Sequence, residues 1–180
     1  LEAVEGSLQR LQTDHIDLYQ LHGGMIEDAM DETIEAFELL KTQGKIRHYG
    51  ISSIRPNVIR EYVKRSNIVS VMMQYSTADR RPEEEMLDFL HTNKIGVLAR
   101  GSLAQGMLVN KPAKEYLGHT AADIEMGLTV FHSLVRKNRT AAQAAIRYVL
   151  HHPAICAAIV GVSRIEQLEQ IAATSNSESL

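Results

Sequence analysis

Residues 16–51 read IDLYQLHGGMIEDAMDETIEAFELLKTQGKIRHYGI and predict a strand, a helix and a second strand. The apolar, β-forming run Ile16–Leu21 predicts the first strand, which ends abruptly at His22 and two glycines. The run Ile46–Ile51 predicts the second strand in the same way. Between the two strands, apolar residues recur at the spacing of an amphipathic helix. These residues are Met30, Ile34, Phe37 and Leu40.

The same alternation continues to the end of the chain. The other predicted strands are Ile68–Met73, Ile95–Ala99 and Ile155–Val160. The other predicted helices run approximately over Pro56–Lys64, Pro82–His91, Ala121–Arg136, Ala141–Leu150 and Ile165–Ala173. We expect Asp28 or Asp31 to cap the helix of the first repeat and Gly44 to close it. Because no two strands are joined by a short hairpin turn, the pattern predicts an α/β fold with a parallel sheet.

Both a doubly wound open sheet and a closed barrel satisfy this alternation. No Gly-x-Gly-x-x-Gly motif follows a strand, whereas every strand ends in small or polar residues. Active sites of β/α barrels are built from such strand ends, so we predict a parallel (β/α)8 TIM barrel. Leu1 lies inside a helical pattern without a preceding cap, so we expect the barrel to be N-terminally incomplete, with about its last five β/α units present. The prediction is a single domain over residues 1–180 with a frayed tail at 174–180.

Composition narrows the classes of function. The net charge is -3 and the 19 Lys and Arg residues are scattered, so we expect no nucleic-acid partner. No apolar run approaches the roughly 18 residues that span a bilayer, so no membrane partner and a cytoplasmic location are expected. The single Cys156 excludes an internal disulfide and a Cys-rich metal site, and the eight His residues have no metal-ligand spacing. The sequence sets no expectation for the oligomeric state.

The polar groups at the predicted strand ends favour a large ligand with amide and phosphate groups. Metalloprotease, hydrolase and Walker motifs are absent from the sequence. Ser hydroxyls and a Gln amide offer the donors and acceptors that a carboxamide needs. The Gly-initiated turn Gly161–Arg164 leads into the last predicted helix, where backbone N–H groups can bind a phosphate.

Several segments, in order along the chain, resemble the aldo-keto reductase family, whose members are NADP(H)-using (β/α)8 barrels. They are Asp14–His22 (DHIDLYQLH), Gly50–Ser53 (GISS), Arg100–Gly106 (RGSLAQG) and Val160–Arg164 (VGVSR). The resemblance covers essentially the whole chain. It implies an oxidoreductase that reduces aldehydes or ketones with NADP(H) and that takes a small carbonyl compound as its substrate.

The resemblance also implies roles for individual residues. His22 matches the catalytic histidine that orients the substrate carbonyl, and Ser52, Ser53 and Gln74 match the ligands of the nicotinamide carboxamide. The loop expected to cover the pyrophosphate contains Arg100, Gly101, Ser102, Leu103, Gln105 and Gly106. The residues expected at the adenosine 2′-phosphate, ribose and adenine are Gly161, Ser163, Arg164, Gln167 and Gln170. No metal ligand is implied.

Some positions depart from the family pattern. Ser53 stands where Asn is usual, Arg100 where an aromatic residue often stacks on the nicotinamide, and Gln170-Ile171 where Glu-Asn often contacts adenine. The proton-donating tyrosine of the family and its partner Asp and Lys lie on the first three strands, which this chain is expected to lack. By alternation with His22, Tyr19 should face the helices and not replace that tyrosine.

Two functional hypotheses follow from the resemblance. In the first, the intact parent is an NADPH-dependent reductase, and the 180-residue chain alone is poorly active or inactive. In the second, the parent is an NADP(H)-binding regulatory barrel without useful turnover. The fold does not distinguish the two, whereas a tyrosine and a lysine upstream of Leu1 would favour the enzyme.

Overall fold

The computed structural model describes residues 1–133, 135–136 and 138–176. Over these residues it confirms the predicted α/β class, with a parallel sheet of five strands and eight α-helices. The chain divides into two compact units. The first contains Leu1–Met73 and Thr92–Gly96, and the second contains Gln74–His91 and the residues from Val97 onward.

The strands are β1 (Ile16–His22), β2 (Ile46–Ser52), β3 (Ser70–Gln74), β4 (Gly96–Arg100) and β5 (Ile155–Ile159). The helices are α1 (Glu2–Leu11), α2 (Met30–Thr42), α3 (Pro56–Arg65), α4 (Arg81–Glu84), α5 (Met86–Thr92), α6 (Ala121–Ser133), α7 (Ala141–Leu150) and α8 (Ile165–Ala172). Short 3-10 helices cover Ala104–Gly106 and Ala173–Asn176.

In the first unit, β2 lies between β1 and β3 and is parallel to both. The β1–β2 register pairs Ile16 with Ile46 at one end and His22 with Ser52 at the other. His22 and Ser52 are the last residues of their strands, so both lie at the carboxyl edge of this part of the sheet. This edge is where β/α folds assemble their sites.

The core of the first unit forms where α2 packs on the strands. The rings of Phe37 and Tyr49 are stacked with their centroids 4.8 Å apart, and Tyr49 is fully buried. The Tyr49 hydroxyl donates a 2.6 Å hydrogen bond to Glu38 Oε1, so its polar end is satisfied inside the core. The ring of Tyr19 meets Phe37 edge-on at 6.3 Å, which confirms that Tyr19 faces the helices.

In the second unit, β4 and β5 are parallel, and Arg100 pairs with Ile159 at their carboxyl ends. Helix α7 begins with a capping box, in which Thr140 and Gln143 bind each other's backbone N–H groups. The hydrophobic core joins α6 and α7 to the segment that follows β4. Its buried residues are Ala104, Met107, Leu108, Tyr116, Ile124, Leu128, Phe131, Ala144 and Ala145.

Three predicted elements differ from the structure by more than a one-residue shift of an end. The helix predicted over Pro82–His91 is broken at Glu85, where φ is -156°. The part before the break, α4, has no buried residue, whereas the part after it, α5, buries Met86, Leu87 and Leu90. Only α5 therefore packs into the core. Strand β3 begins at Ser70 instead of Ile68, and α6 ends at Ser133 instead of Arg136. Leu134 lies outside the described residues.

Both ends of α2 and the C-terminal tail can also be compared with the predictions. No side chain of the described residues caps α2, and the Asp28 carboxylate instead accepts a 2.8 Å hydrogen bond from the Met25 N–H, so the predicted aspartate cap is wrong. Gly44, with φ 71°, follows the end of α2 as expected. In the predicted frayed tail, Thr174 is buried and residues 174–176 are in a 3-10 helix, whereas 177–180 lie outside the described residues.

Candidate cofactor-binding site

A pocket of about 530 Å³ in the second unit brings together most of the residues predicted to bind a cofactor. It lies among the loop after β4, the turn after β5 and the start of α8. The predicted residues that line it are Gly101, Ser102, Leu103, Gln105, Gly106, Gly161, Ser163, Arg164, Gln167 and Gln170. They come from two segments about 60 residues apart in the sequence, which the parallel β4–β5 pairing brings side by side.

The loop after β4 has an unusual backbone. Four of its residues have positive φ: Gly101 (71°), Ala104 (45°), Gln105 (59°) and Gly106 (95°). Ala104 and Gln105 carry a Cβ, so this conformation is costly for them and persists only when neighbouring contacts enforce it. The Gly106 N–H bonds to the Leu103 carbonyl at 2.8 Å, which folds the loop into a compact turn along the pocket.

The hydroxyl of Ser102 is the most informative polar atom of this pocket. Ser102 is 2% exposed, and its Oγ has no hydrogen-bond partner among the described residues. A buried hydroxyl without a partner is unfavourable, and proteins rarely keep one without a reason. Because Ser102 lines the pocket, a polar group bound there can supply the missing partner.

The start of α8 forms the opposite side of the pocket. No described side chain caps α8, so its first backbone N–H groups lack a side-chain acceptor, while Glu166 lies in its first turn. Gln167 Oε1 accepts hydrogen bonds from the N–H of Ser163 at 3.0 Å and from its hydroxyl at 3.3 Å, which holds the turn. The exposed Arg164 adds a guanidinium beside this helix end. Together these groups favour an anionic ligand such as a phosphate.

Lys111 and Asn110 also line the pocket, and sequence reasoning missed both. The aliphatic stem of Lys111 lies against Gly106, so closely that a Cβ added there would be 3.1 Å from Lys111 Cδ. The N–H groups of Val109, Asn110 and Lys111 converge on the Gly106 carbonyl at 3.1 Å each and turn the chain back toward the pocket. Lys111 belongs to no recognisable sequence motif. It reaches the pocket only because this turn folds the chain back.

Gln74 and Arg100, two further predicted residues of the second unit, are bonded to each other and do not line this pocket. Arg100 Nη1 donates a 2.9 Å hydrogen bond to Gln74 Oε1. Gln74 Nε2 donates to Asp79 Oδ2 at 3.1 Å and to the Tyr116 hydroxyl at 3.0 Å. The side-chain amide of Gln74 is therefore held on both ends.

Buried polar groups surround this amide. Asp79 is almost fully buried and forms a two-pronged ion pair with Arg81, at 2.8 and 2.9 Å. Burial, and then the nearby negative charge of Asp79, raise the pKa of Tyr116, so its hydroxyl stays protonated. Gly101 passes close to Gln74, and a Cβ added there would lie 3.1 Å from Gln74 Cγ.

In the first unit, the predicted residues His22, Ser52 and Ser53 lie at the ends of β1 and β2. His22 is exposed and is paired in register with Ser52, which is half-buried. Ser53 is buried, its N–H donates to the Met72 carbonyl at 3.0 Å, and its Oγ accepts a 3.2 Å hydrogen bond from the Arg55 N–H. The structure therefore brings these three side chains to one edge of the first unit's strands.

Two further classes of site are absent from the part of the chain that the structure describes. There, no three His, Cys, Asp or Glu side chains are grouped so that they could hold a metal ion. In the same residues, no helix has the length and apolar character that crossing a membrane requires.

Comparison with known proteins gives a consistent result over the whole chain. The profile of the aldo/keto reductase family matches residues 1–179. An uncharacterized oxidoreductase, YqkF of Bacillus subtilis, is 49% identical over 99% of this chain and 61% of its own length.

Two solved structures are similar in fold over nearly the same range. The holo form of aldo-keto reductase AKR11C1 from Bacillus halodurans aligns with a TM-score of 0.89 and 46% identity, over 99% of this chain and 59% of that protein. An aldo-keto reductase from Klebsiella pneumoniae, solved in complex with NADPH, aligns with a TM-score of 0.79 and 28% identity, over 99% and 59%. The chain thus spans about three fifths of the length of these relatives.

Proposed function

Because the chain belongs to the aldo/keto reductase family, we propose that it carries the NADP(H)-binding part of an oxidoreductase that reduces aldehydes or ketones to alcohols. The observation that carries this proposal is the second-unit pocket. It combines the buried Ser102 hydroxyl, for which the described residues supply no partner, the start of α8, which no described side chain caps, and the cations of Arg164 and Lys111. A ligand with several phosphate oxygens satisfies all of these groups at once.

The roles in this pocket follow the chemistry of its lining. We assign Gly101, Ser102 and the turn up to Gly106 to the pyrophosphate, since an uncharged hydroxyl and backbone N–H groups can bind an anion. Ser163, Arg164 and Gln167 are assigned to the 2′-phosphate and ribose, because a guanidinium beside a helix N-terminus suits a dianion. Gln170, a further polar residue of the lining, is assigned to the adenine.

The residues that we assign to the substrate carbonyl and to the nicotinamide lie at or just after strand ends. NADPH, when bound, supplies the hydride. His22 donates a hydrogen bond to the carbonyl oxygen as negative charge develops there, and its exposed position leaves its ring accessible to a substrate. Ser52, Ser53 and Gln74 are assigned to the nicotinamide carboxamide. Tyr19 is excluded as the acid that protonates the alkoxide, because its ring packs on Phe37 of α2.

Two measurements test the proposal. The first follows NADPH and NADH binding by fluorescence, both for the 180-residue chain and for the product of the longest reading frame that contains it. The second follows NADPH oxidation with a reactive aldehyde such as 4-nitrobenzaldehyde.

We expect binding by both proteins, and turnover by the chain alone that is at least about a hundredfold slower, the usual contribution of a general acid. Absence of NADPH binding in the longer protein would contradict the proposal. Tight binding without turnover in the longer protein would favour an NADP(H)-binding regulatory protein instead of an enzyme.

A further inference from the structure

Gln74 has an orientation that its neighbours impose. An Asp carboxylate only accepts hydrogen bonds, and an Arg guanidinium only donates them. Asp79 Oδ2 therefore must face the Gln74 Nε2 group, and Arg100 Nη1 must face Gln74 Oε1. Flipping the amide would turn its Nε2 donor toward the Arg100 donor and its Oε1 acceptor toward the Asp79 acceptor. The reverse orientation is therefore unfavourable at both ends.

Asp79 is itself held rigidly. Its backbone is paired with Ser76 by hydrogen bonds of 3.2 and 3.1 Å, which close a tight turn directly after Gln74. Its carboxylate is 1% exposed and is gripped on both oxygens by Arg81, whose own side chain is 58% exposed. The buried Asp79 carboxylate thus faces Gln74, whereas the side chain of Arg81 is largely exposed to solvent.

The hydrogen-bonding capacity of Gln74 is almost used up. Its two Nε2 hydrogens go to Asp79 and the Tyr116 hydroxyl, and one lone pair of Oε1 accepts from Arg100. The described residues leave one Oε1 lone pair without a donor. A ligand that meets this side chain therefore meets an acceptor and not a donor.

We propose that Asp79 is a positioning residue, which fixes the Gln74 amide so that its oxygen selects an N–H donor on the ligand and holds the Arg100 guanidinium in place. The inference deepens the proposed function, on which it rests: the selected donor is the carboxamide NH2 of the nicotinamide. Asp79 acts through Gln74 and does not itself reach the cofactor.

The test compares NADP⁺ with its 3-acetylpyridine analogue, in which a methyl ketone replaces the carboxamide and no N–H donor remains. Dissociation constants are measured by calorimetry for the wild type and for Asp79→Asn. The asparagine has the same shape but offers Gln74 a donor as well as an acceptor, so it fixes the amide orientation less strongly. The wild type should prefer NADP⁺, and in Asp79→Asn this preference should fall about three- to tenfold, the size of one hydrogen bond. An unchanged preference would overturn the proposal.

A compensating pair separates positioning from general stability. The double variant Asp79→Asn with Gln74→Glu moves the carboxylate from position 79 to position 74 and the amide from position 74 to position 79. The net charge stays the same. The carboxylate introduced at position 74 offers only acceptors to Arg100 and to the ligand, and the amide introduced at position 79 donates to that carboxylate. The preference for NADP⁺ should therefore return. Failure of this rescue, in a variant whose thermal unfolding matches that of Asp79→Asn, would also overturn the proposal.

A cofactor-free measurement keeps this inference distinct from the proposed function. The two Nε2 protons of Gln74 should give protected, separately resolved NMR signals in the wild type, because both are hydrogen-bonded. In Asp79→Asn the proton that bonds to Asp79 should lose protection, whereas the proton that bonds to Tyr116 serves as an internal comparison. If NADP⁺ does not bind, the proposed function fails while these signals still test Asp79; equal protection in both proteins would refute the positioning role.

Discussion

The side chain of Lys111 lies against Gly106, the residue on whose carbonyl oxygen the backbone of the same turn converges. Gly106 has φ 95°, a backbone conformation that favours glycine, and a Cβ added there would lie 3.1 Å from Lys111 Cδ. The contact places an ammonium group on the lining of the second-unit pocket. It is the only cation besides Arg164 in the lining that the described residues provide.

Replacement of Lys111 by alanine should weaken NADPH binding about three- to tenfold, because one partly solvated charge contact to a phosphate is lost. The loss should shrink at high salt, since an exposed ammonium is screened. Fluorescence titration at low and high ionic strength measures both effects. Lys114→Ala is the matched control, because Lys114 is exposed and does not line the pocket. Equal losses in the two variants would show that Lys111 has no specific role.

Replacement of Ser102 by alanine should have opposite effects on the free protein and on the complex. The free protein loses a buried hydroxyl that has no described partner, so its melting temperature should stay the same or rise. The complex loses a hydrogen bond, so the dissociation constant for NADPH should rise about two- to tenfold. Thermal unfolding with and without NADPH measures both. A lower melting temperature with unchanged affinity would mean that the hydroxyl has a structural partner and no role in binding.

Replacement of Arg164 by alanine should reduce the preference for NADPH over NADH. The guanidinium can pair with the extra 2′-phosphate in a charge-assisted fork, whose loss typically costs about ten- to a hundredfold in affinity. NADH lacks this phosphate and should bind nearly as before. Arg10→Ala, on helix α1 of the first unit, controls for the loss of an exposed arginine. An equal loss for both cofactors would show that Arg164 does not recognise the 2′-phosphate.

Much of this pocket could be predicted from the sequence, because its groups follow strands in a parallel sheet. Gly101–Gly106 and Gly161–Gln167 each come after a recognisable strand, and the carboxyl ends of parallel strands meet at one edge. The polar residue types at those ends indicate the ligand chemistry. The pocket has Ser102 and Arg164 in its lining, and the roles of these residues in binding stay predictions.

The contacts that the sequence analysis missed depend on turns and on distant packing. Asp79 meets Gln74 because a turn closes between them, and Tyr116 meets Gln74 across 42 positions of sequence. Neither contact corresponds to a periodic pattern in the sequence. The break at Glu85 was missed for a related reason: the helical pattern continues through it, whereas burial begins only at Met86.

The first unit should lose stability in alkaline solution partly through Tyr49. Burial, and next the hydrogen bond to Glu38, raise the pKa of Tyr49 to about 12, above the ordinary value near 10 of an unfolded chain. From about pH 10 the unfolded chain releases this proton while the folded chain keeps it, so the free energy of unfolding falls as pH rises toward about 12. Below about pH 10 the contribution is fully present.

Tyr49→Phe removes this titration, so its free energy of unfolding should decline less steeply than that of the wild type over that pH range. Urea unfolding at a series of pH values gives the two slopes. Tyr148, whose pKa burial also raises to about 12, remains in both proteins and should keep some decline in the variant. Parallel declines in the two proteins would contradict the assignment to Tyr49.

The claim that the second-unit pocket holds the phosphates of NADP(H) is tested most directly by NMR mapping. Backbone amide shifts of the isotopically labelled chain are recorded as NADP⁺ is added, and NAD⁺ serves as the comparison. We expect saturable shifts at Gly101–Gly106 and Gly161–Gln167, with those near Arg164 markedly smaller for NAD⁺. Saturable shifts confined to other segments, or equal shifts near Arg164 for the two cofactors, would contradict it.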